Sequence, residues 1–156
     1  MKLTEYITPQ HVKIGLDGVG KGDVIEELVE LLVETNDVSD ADAIYDAVMK
    51  REGEGSTGLE KGVAIPHAKS DAVKRLSIVV GISRDGIEFD SQDGKPAHLF
   101  FLMVAPTSES GPHVQAIAKI VKMIKLDKVR ERLVKAKKPE DVVDMIFRVE
   151  NSDTED

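Results

Sequence analysis

The chain has 156 residues and a net charge of −8, with 41% apolar residues, 4% aromatics and neither Cys nor Trp. A chain of this length buries roughly 70% of its unfolded surface, so one globular domain with a core of Val, Ile, Leu and Ala is expected, rather than disorder. The missing Cys excludes disulfides, thiolate metal sites and Cys nucleophiles within the chain, and the acidic balance argues against general nucleic-acid binding.

In chain order, Val12-Lys13-Ile14-Gly15-Leu16 alternates as a short strand does. Gly18, Gly20 and Gly22 break regular structure. A helix follows, with Asp23 as its cap and Glu26 completing a capping box; Val24, Leu28, Leu31 and Leu32 form its apolar face. A second helix starts near Ser39, with Ala43, Ile44, Ala47 and Val48 on its stripe, and ends at Glu52-Gly53. Val63-Ala64-Ile65 and the β-branched run Leu76–Ile82 read as strands, and Asp85-Gly86 reads as the turn of an antiparallel pair. His98–Val104 is nearly continuous apolar sequence, as in a central strand covered on both faces, and Pro106 ends it. Pro112 sits at the start of a helix with a stripe of Val114, Ile117, Val121 and Ile124. Asp127–Lys135 forms a further helix or turn, and Pro139 opens the last helix, which carries Val142, Met145 and Ile146.

Helices flanking a strand-rich middle predict a three-layer α/β/α sandwich with a central mixed sheet. One domain over residues 1–150 and a frayed acidic tail over 151–156 are expected. The N-terminus has no apolar segment of the signal-peptide kind, and no run of about 18 apolar residues is available to span a membrane. A cytoplasmic location, without membrane insertion, is the simplest reading. Charge is uneven: nine Lys or Arg and only two acids lie between Lys119 and Lys138. Such a stretch is a solvated helix face or a docking surface for an acidic partner.

Among the histidines, His11 and His98 read as surface or strand-end residues. His67 differs. It follows a short apolar strand and Pro66, and comes just after Gly53-Glu-Gly-Ser-Thr-Gly-Leu-Glu-Lys-Gly62. Glycines and hydroxyls at that density let backbone N–H groups converge on an anion, and sites in α/β sheets gather beyond the carboxyl ends of strands. The loop lacks the Lys-Ser/Thr ending of a P-loop, so these residues alone leave a structural loop with an incidental His equally open.

The string Gly55-Ser-Thr-Gly-Leu-Glu-Lys-Gly-Val-Ala-Ile-Pro-His67 resembles the active-site signature of the fructose/mannitol-type EIIA domains of the phosphoenolpyruvate:sugar phosphotransferase system. Arg51-Glu52 before it, Gly86-Ile-Glu-Phe-Asp with Asp93-Gly-Lys-Pro, Leu99–Pro106, and His113 at a helix start resemble further pieces of that family, so the likeness covers roughly residues 8–147. Two departures stand out: Gly58-Leu-Glu-Lys-Gly62 replaces a Gly-Ile-Gly-Asn-Gly-like element, and Ala68-Lys69 follows the histidine where the family has Gly and a basic residue.

The resemblance implies that His67 accepts a phosphoryl group from the carrier protein HPr and passes it to a cysteine of an EIIB domain on a separate chain. It implies that Arg51 and His113 flank the phosphate, with Thr57 or Ser56 as a further donor and no cofactor. Those residue types suit the chemistry. A neutral imidazole is a nucleophile near pH 7. Arg offers a planar fork to phosphate oxygens, and a helix start favours anions. The nitrogen-regulatory EIIA relatives share the signature, so a regulatory role, in which phosphorylation controls partner binding, stands as the alternative. A metal-dependent hydrolase using His67, His98 and His113 finds no HExxH or comparable ligand spacing.

Overall fold

The computed structural model describes residues 1–152. Two 3₁₀ turns, Leu3–Glu5 and Pro9–His11, precede β1 (Val12–Ile14), α1 (Lys21–Thr35) and α2 (Ala41–Gly53). Then come β2 (Val63–Ala64), β3 (His67–Lys69), β4 (Ser77–Ile87) and β5 (Ala97–Ala105), followed by α3 (Ser110–Ile124), α4 (Asp127–Val134) and α5 (Pro139–Ser152).

The sheet is mixed, in the order β1-β4-β5-β2, with β3 also on β5. β4 and β5 pair antiparallel, whereas β1 is parallel to β4, and β2 and β3 are parallel to β5. β5 is the spine, buried along nearly its whole length. Strand alternation sends Leu99, Phe101 and Met103 to one face, where they meet Ala116, Ile120, Leu133, Val142 and Ile146 from α3, α4 and α5. Phe100, Leu102 and Val104 go to the other face, against Val24, Leu28, Leu32, Ile44 and Val48 of α1 and α2. Helices thus cover both faces of the mixed sheet, as expected. At Gly81 the strand and α1 come so close that a Cβ would lie 2.7 Å from a Leu28 methyl and 2.9 Å from one of Leu16.

Several local expectations are corrected. α1 starts two residues before Asp23, with Gly20 as its cap and Gly22 inside its first turn. α2 starts at Ala41, two residues after Ser39, and is capped by Asp40, whose carboxylate accepts the Ala43 N–H at 3.0 Å. Asp85-Gly86 is no hairpin turn. β4 runs through it with a shifted register between Ile82 and Ile87, Gly86 (φ +85°) taking the left-handed bend, and the chain turns later, between Ile87 and Ala97. The buried face of α3 is His113, Ala116, Ile120, Met123 and Ile124, so the expected stripe is rotated, and Val114 is 65% exposed. α3 also starts at Ser110, before Pro112. His11 is buried, its Nδ1 accepting the Thr8 N–H at 3.0 Å. Asn151 and Ser152 belong to α5, and the rest of the expected tail lies outside the described residues. No helix among the described residues is long and apolar enough to cross a membrane.

Candidate functional site

β2 and β3 are two pieces of one edge. Val63 and Ala64 pair with Leu99 and Phe100, and His67–Lys69 with Met103–Ala105. Ile65 and Pro66 interrupt the edge, because Pro has no N–H to give a ladder. The Pro66 carbonyl still accepts the Met103 N–H at 3.1 Å. The Ile65 N–H turns away from β5 to the Thr57 carbonyl, at 3.1 Å. Its carbonyl lies 2.8 Å from His67 Nδ1. A carbonyl can only accept, so Nδ1 carries the proton and Nε2 keeps the lone pair. His67 therefore opens a second short strand in line with the first, rather than lying beyond the sheet.

Nine further residues line the same cleft of about 610 Å³: Ala47, Lys50, Arg51, Glu54, Ala68, Lys69, His113, Val114 and Ile117. Three cations against one carboxylate make this a locally positive place on an acidic chain. Arg51, in the last turn of α2, donates through Nη1 to the Gly55 carbonyl at 2.8 Å, which leaves the rest of its fork for a ligand. Lys69 reaches across to the first turn of α3, donating to Ser110 Oγ at 2.6 Å. The His113 ring stands edge-on to that of His67, with centroids 5.4 Å apart and an interplanar angle of 81°. It is only 4% exposed, and its Nε2 has no hydrogen-bond partner. Burial, with neighbouring His67 and Lys69 adding, pushes its pKa down to about 4, so this ring is neutral at pH 7.

Of the residues singled out from sequence, His67, His113 and Arg51 meet in this cleft. Thr57 does not line it. It is buried, and its N–H and hydroxyl both donate to the Glu52 carboxylate. Ser56 also points elsewhere, its hydroxyl donating to the Phe89 carbonyl at 2.7 Å.

The expected convergence of loop N–H groups on an anion is not there. Those of Gly55, Thr57, Gly58, Leu59 and Lys61 are occupied by Glu52, Ser56, Val63 and Asp93. The loop is an internally bonded brace for the β2 edge, and the positive charge of the cleft comes from side chains. His98 does not join the other histidines. It lies five β5 residues before His67's partner Met103, about 16 Å along the strand, with Nδ1 3.0 Å from the Ser83 carbonyl. Sequence reasoning gave no role to Lys50 or to the buried Glu52. A carboxylate in the last turn of α2, where the helix dipole disfavours it, was the available signal for Glu52.

The family model for the phosphoenolpyruvate-dependent sugar phosphotransferase system, EIIA 2, matches residues 5–149. The chain is 38% identical to the fructose-specific EIIA component of Haloferax volcanii, over 83% of this chain and 84% of that protein. It is 34% identical to the fructose-specific EIIABC component of Bacillus subtilis over 94% of its own length, but spans only 23% of that longer protein. It is 29% identical to a nitrogen regulatory protein of Pseudomonas aeruginosa over 97% and 98% of the two chains. Among solved structures, nitrogen regulatory protein IIA-Ntr of Neisseria meningitidis superposes with a TM-score of 0.86 at 28% identity, covering 92% of this chain and 98% of that one. The IIAMTL–phosphorylated IIBMTL complex of Escherichia coli gives 0.79 at 21% identity, over 91% and 97%. The match over nearly the whole chain, with the mixed sheet those structures share, makes this protein a member of the EIIA type 2 family of the sugar phosphotransferase system.

Proposed function

We propose that this protein carries a phosphoryl group on Nε2 of His67, taking it from a phosphohistidine of HPr and passing it to a cysteine of an EIIB domain during sugar uptake. The observation that carries the reading is the 2.8 Å contact between His67 Nδ1 and the Ile65 carbonyl, which leaves Nε2 as a lone pair in a cationic cleft. In transfer, the bond from phosphorus to the donor imidazole breaks as a bond to Nε2 forms. The proton stays on Nδ1, which donates it to the Ile65 carbonyl as a hydrogen bond, and no base is required. Phosphoryl transfer is mostly positioning and charge stabilisation. Arg51, Lys50 and Lys69 supply charge, and the unpartnered Nε2 of His113 gains an oxygen to bond. Thr57 serves through the loop, since its donors face Glu52. Passage to an EIIB domain is supported by the structural likeness to an EIIA that is seen with its phosphorylated EIIB. We place the whole of residues 1–150 in one phosphocarrier domain working in the cytoplasm.

The test is labelling with radioactive phosphoenolpyruvate, the system's general enzyme and HPr. Wild type should acquire acid-labile, base-stable label, and His67→Gln should acquire none while keeping its circular dichroism. A folded His67→Gln that labels fully would sink the assignment. The likeness to nitrogen regulatory proteins over almost the whole chain favours a second reading, in which the phosphorylation state controls partner binding. Normal uptake of every phosphotransferase sugar in a strain lacking this protein would select that reading.

A further inference from the structure

Two charged residues stand at the wrong ends of their helices. Lys21 opens α1, where the positive end of the dipole disfavours a cation, and Glu52 lies in the last turn of α2, where the negative end disfavours an anion. They answer each other: Lys21 Nζ lies 2.8 Å from Glu52 Oε2, and the Glu52 side chain is 3% exposed. A buried ion pair seldom repays its own desolvation, and a local rule broken twice at one point marks a tertiary purpose.

That purpose is legible in the bonds that leave Glu52. Its carboxylate accepts the Thr57 N–H at 3.1 Å and also the Thr57 hydroxyl. The Thr57 carbonyl accepts the Ile65 N–H at 3.1 Å, and the Ile65 carbonyl accepts His67 Nδ1–H at 2.8 Å. Lys21 ties the same cluster to the loop after β4, with Nζ 3.3 Å from Asp90 and 4.8 Å above the Phe89 ring. On the β5 side the Met103 N–H holds the Pro66 carbonyl. The tilt of the Ile65 unit is left to Thr57, and so to Glu52.

We infer that Glu52, with Lys21 as its counter-charge, is a positioning residue for His67: through Thr57 and Ile65 it holds the carbonyl that keeps the imidazole proton on Nδ1. The inference deepens the phosphoryl-acceptor reading and rests on it for its kinetic consequence. In Glu52→Gln the side chain keeps its shape, but an NH₂ group replaces one acceptor and faces Lys21 or Thr57. The anchor loosens, and the Nε2–H tautomer, which has no lone pair to attack with, gains population.

The experiment uses the full chain labelled with ¹⁵N-histidine. The tautomer of His67 is read from its Nδ1 and Nε2 shifts, assigned by their loss in His67→Gln, alongside the initial rate of phosphorylation by phospho-HPr. Wild type should show one Nδ1–H tautomer. Glu52→Gln should show the two nitrogen shifts moving toward each other, with phosphorylation about tenfold slower, the order expected when a reacting group is misplaced by a fraction of an ångström. Thr57→Val should move both readouts the same way, and Thr57→Ser should recover most of that change. A folded Glu52→Gln with wild-type nitrogen shifts would overturn the inference. Should Glu52→Gln fail to fold, the Thr57 pair decides on the same shifts, and no movement in Thr57→Val overturns it. A wild type that accepts no phosphoryl group refutes the acceptor reading, while the shifts still decide the role of Glu52.

Discussion

His113 shows how much one nitrogen can be asked to do. It is buried against His67 without a hydrogen bond on Nε2, and that burial keeps the ring neutral down to about pH 4. The consequence for stability has a definite sign. Its folded pKa lies below the ordinary value of 6.5, so between about pH 6.5 and 4 the unfolded chain binds a proton that the folded chain refuses. Stability is therefore fully present above about pH 6.5 and falls as the pH drops through that window, by on the order of 3 kcal/mol for this one group. Urea unfolding of His113→Gln at a series of pH values should show that limb flattened, though not abolished, because burial also lowers the pKa of His11. An unchanged limb would mean that His113 ionises freely in the folded protein. The same substitution should slow phosphorylation without removing the acceptor. At this scale sequence singled out His67, Arg51 and His113, and the structure brings the three into one cleft from three separate elements. It misjudged Thr57, because a hydroxyl beside a glycine looks free until the Glu52 carboxylate five residues earlier is seen to face it.

At the scale of elements, periodicity located the helices and strands and misread one face. In α3 the apolar stripe of Val114, Ile117 and Val121 competes with a second one, His113, Ala116, Ile120 and Met123, which contains a polar ring and a small residue. The second stripe faces the sheet because a neutral imidazole can be buried, and sequence gives no sign of that neutrality. The first is left to rim the cleft, with Val114 and Ile117 in its lining. The hairpin was misplaced for a related reason: Asp85-Gly86 carries turn chemistry, but the chain uses its left-handed glycine for a bend inside β4. Gly81 makes the opposite point, since nothing in an otherwise good strand sequence marks it as a contact. Its space is filled by the tips of Leu28 and Leu16. Gly81→Val should push α1 from the sheet and cost about 1–3 kcal/mol. A lower denaturation midpoint at constant m-value is the expected record, and a wild-type midpoint would show that the two leucines move aside freely.

For the whole molecule, the decisive fact is that both cores share one spine. Alternate residues of β5 belong to the α3–α5 side and the α1–α2 side, so neither layer can open without exposing the strand both depend on. The two tyrosines report the layers separately, since Tyr6 packs on one core and Tyr45 on the other, and there is no Trp to mask them. Tyrosine fluorescence of Tyr6→Phe and of Tyr45→Phe should therefore give coincident unfolding transitions once each variant's own stability change is subtracted. Separated midpoints would show two independently melting layers. Charge at this scale was only half legible. The basic stretch from Lys119 to Lys138 is partly answered within the fold, with Arg130 on Asp127 at 2.7 Å and Lys119 within 4.0 Å of Glu150. Of the cations that matter to the cleft, Lys50 and Arg51 are neighbours on α2, and Lys69 joins them only when the edge strand docks. The break at Ile65-Pro66 carries this dependence into the order of synthesis. His67 leaves the ribosome before Met103, whose N–H seats Pro66 and whose strand aligns the histidine. Until that strand has been made and docked, the edge that carries the imidazole is not aligned beside the rest of the cleft. On the acceptor role proposed above, a chain whose β5 has not yet docked is therefore a poor acceptor, and phosphoryl groups are not lost to molecules that cannot deliver them.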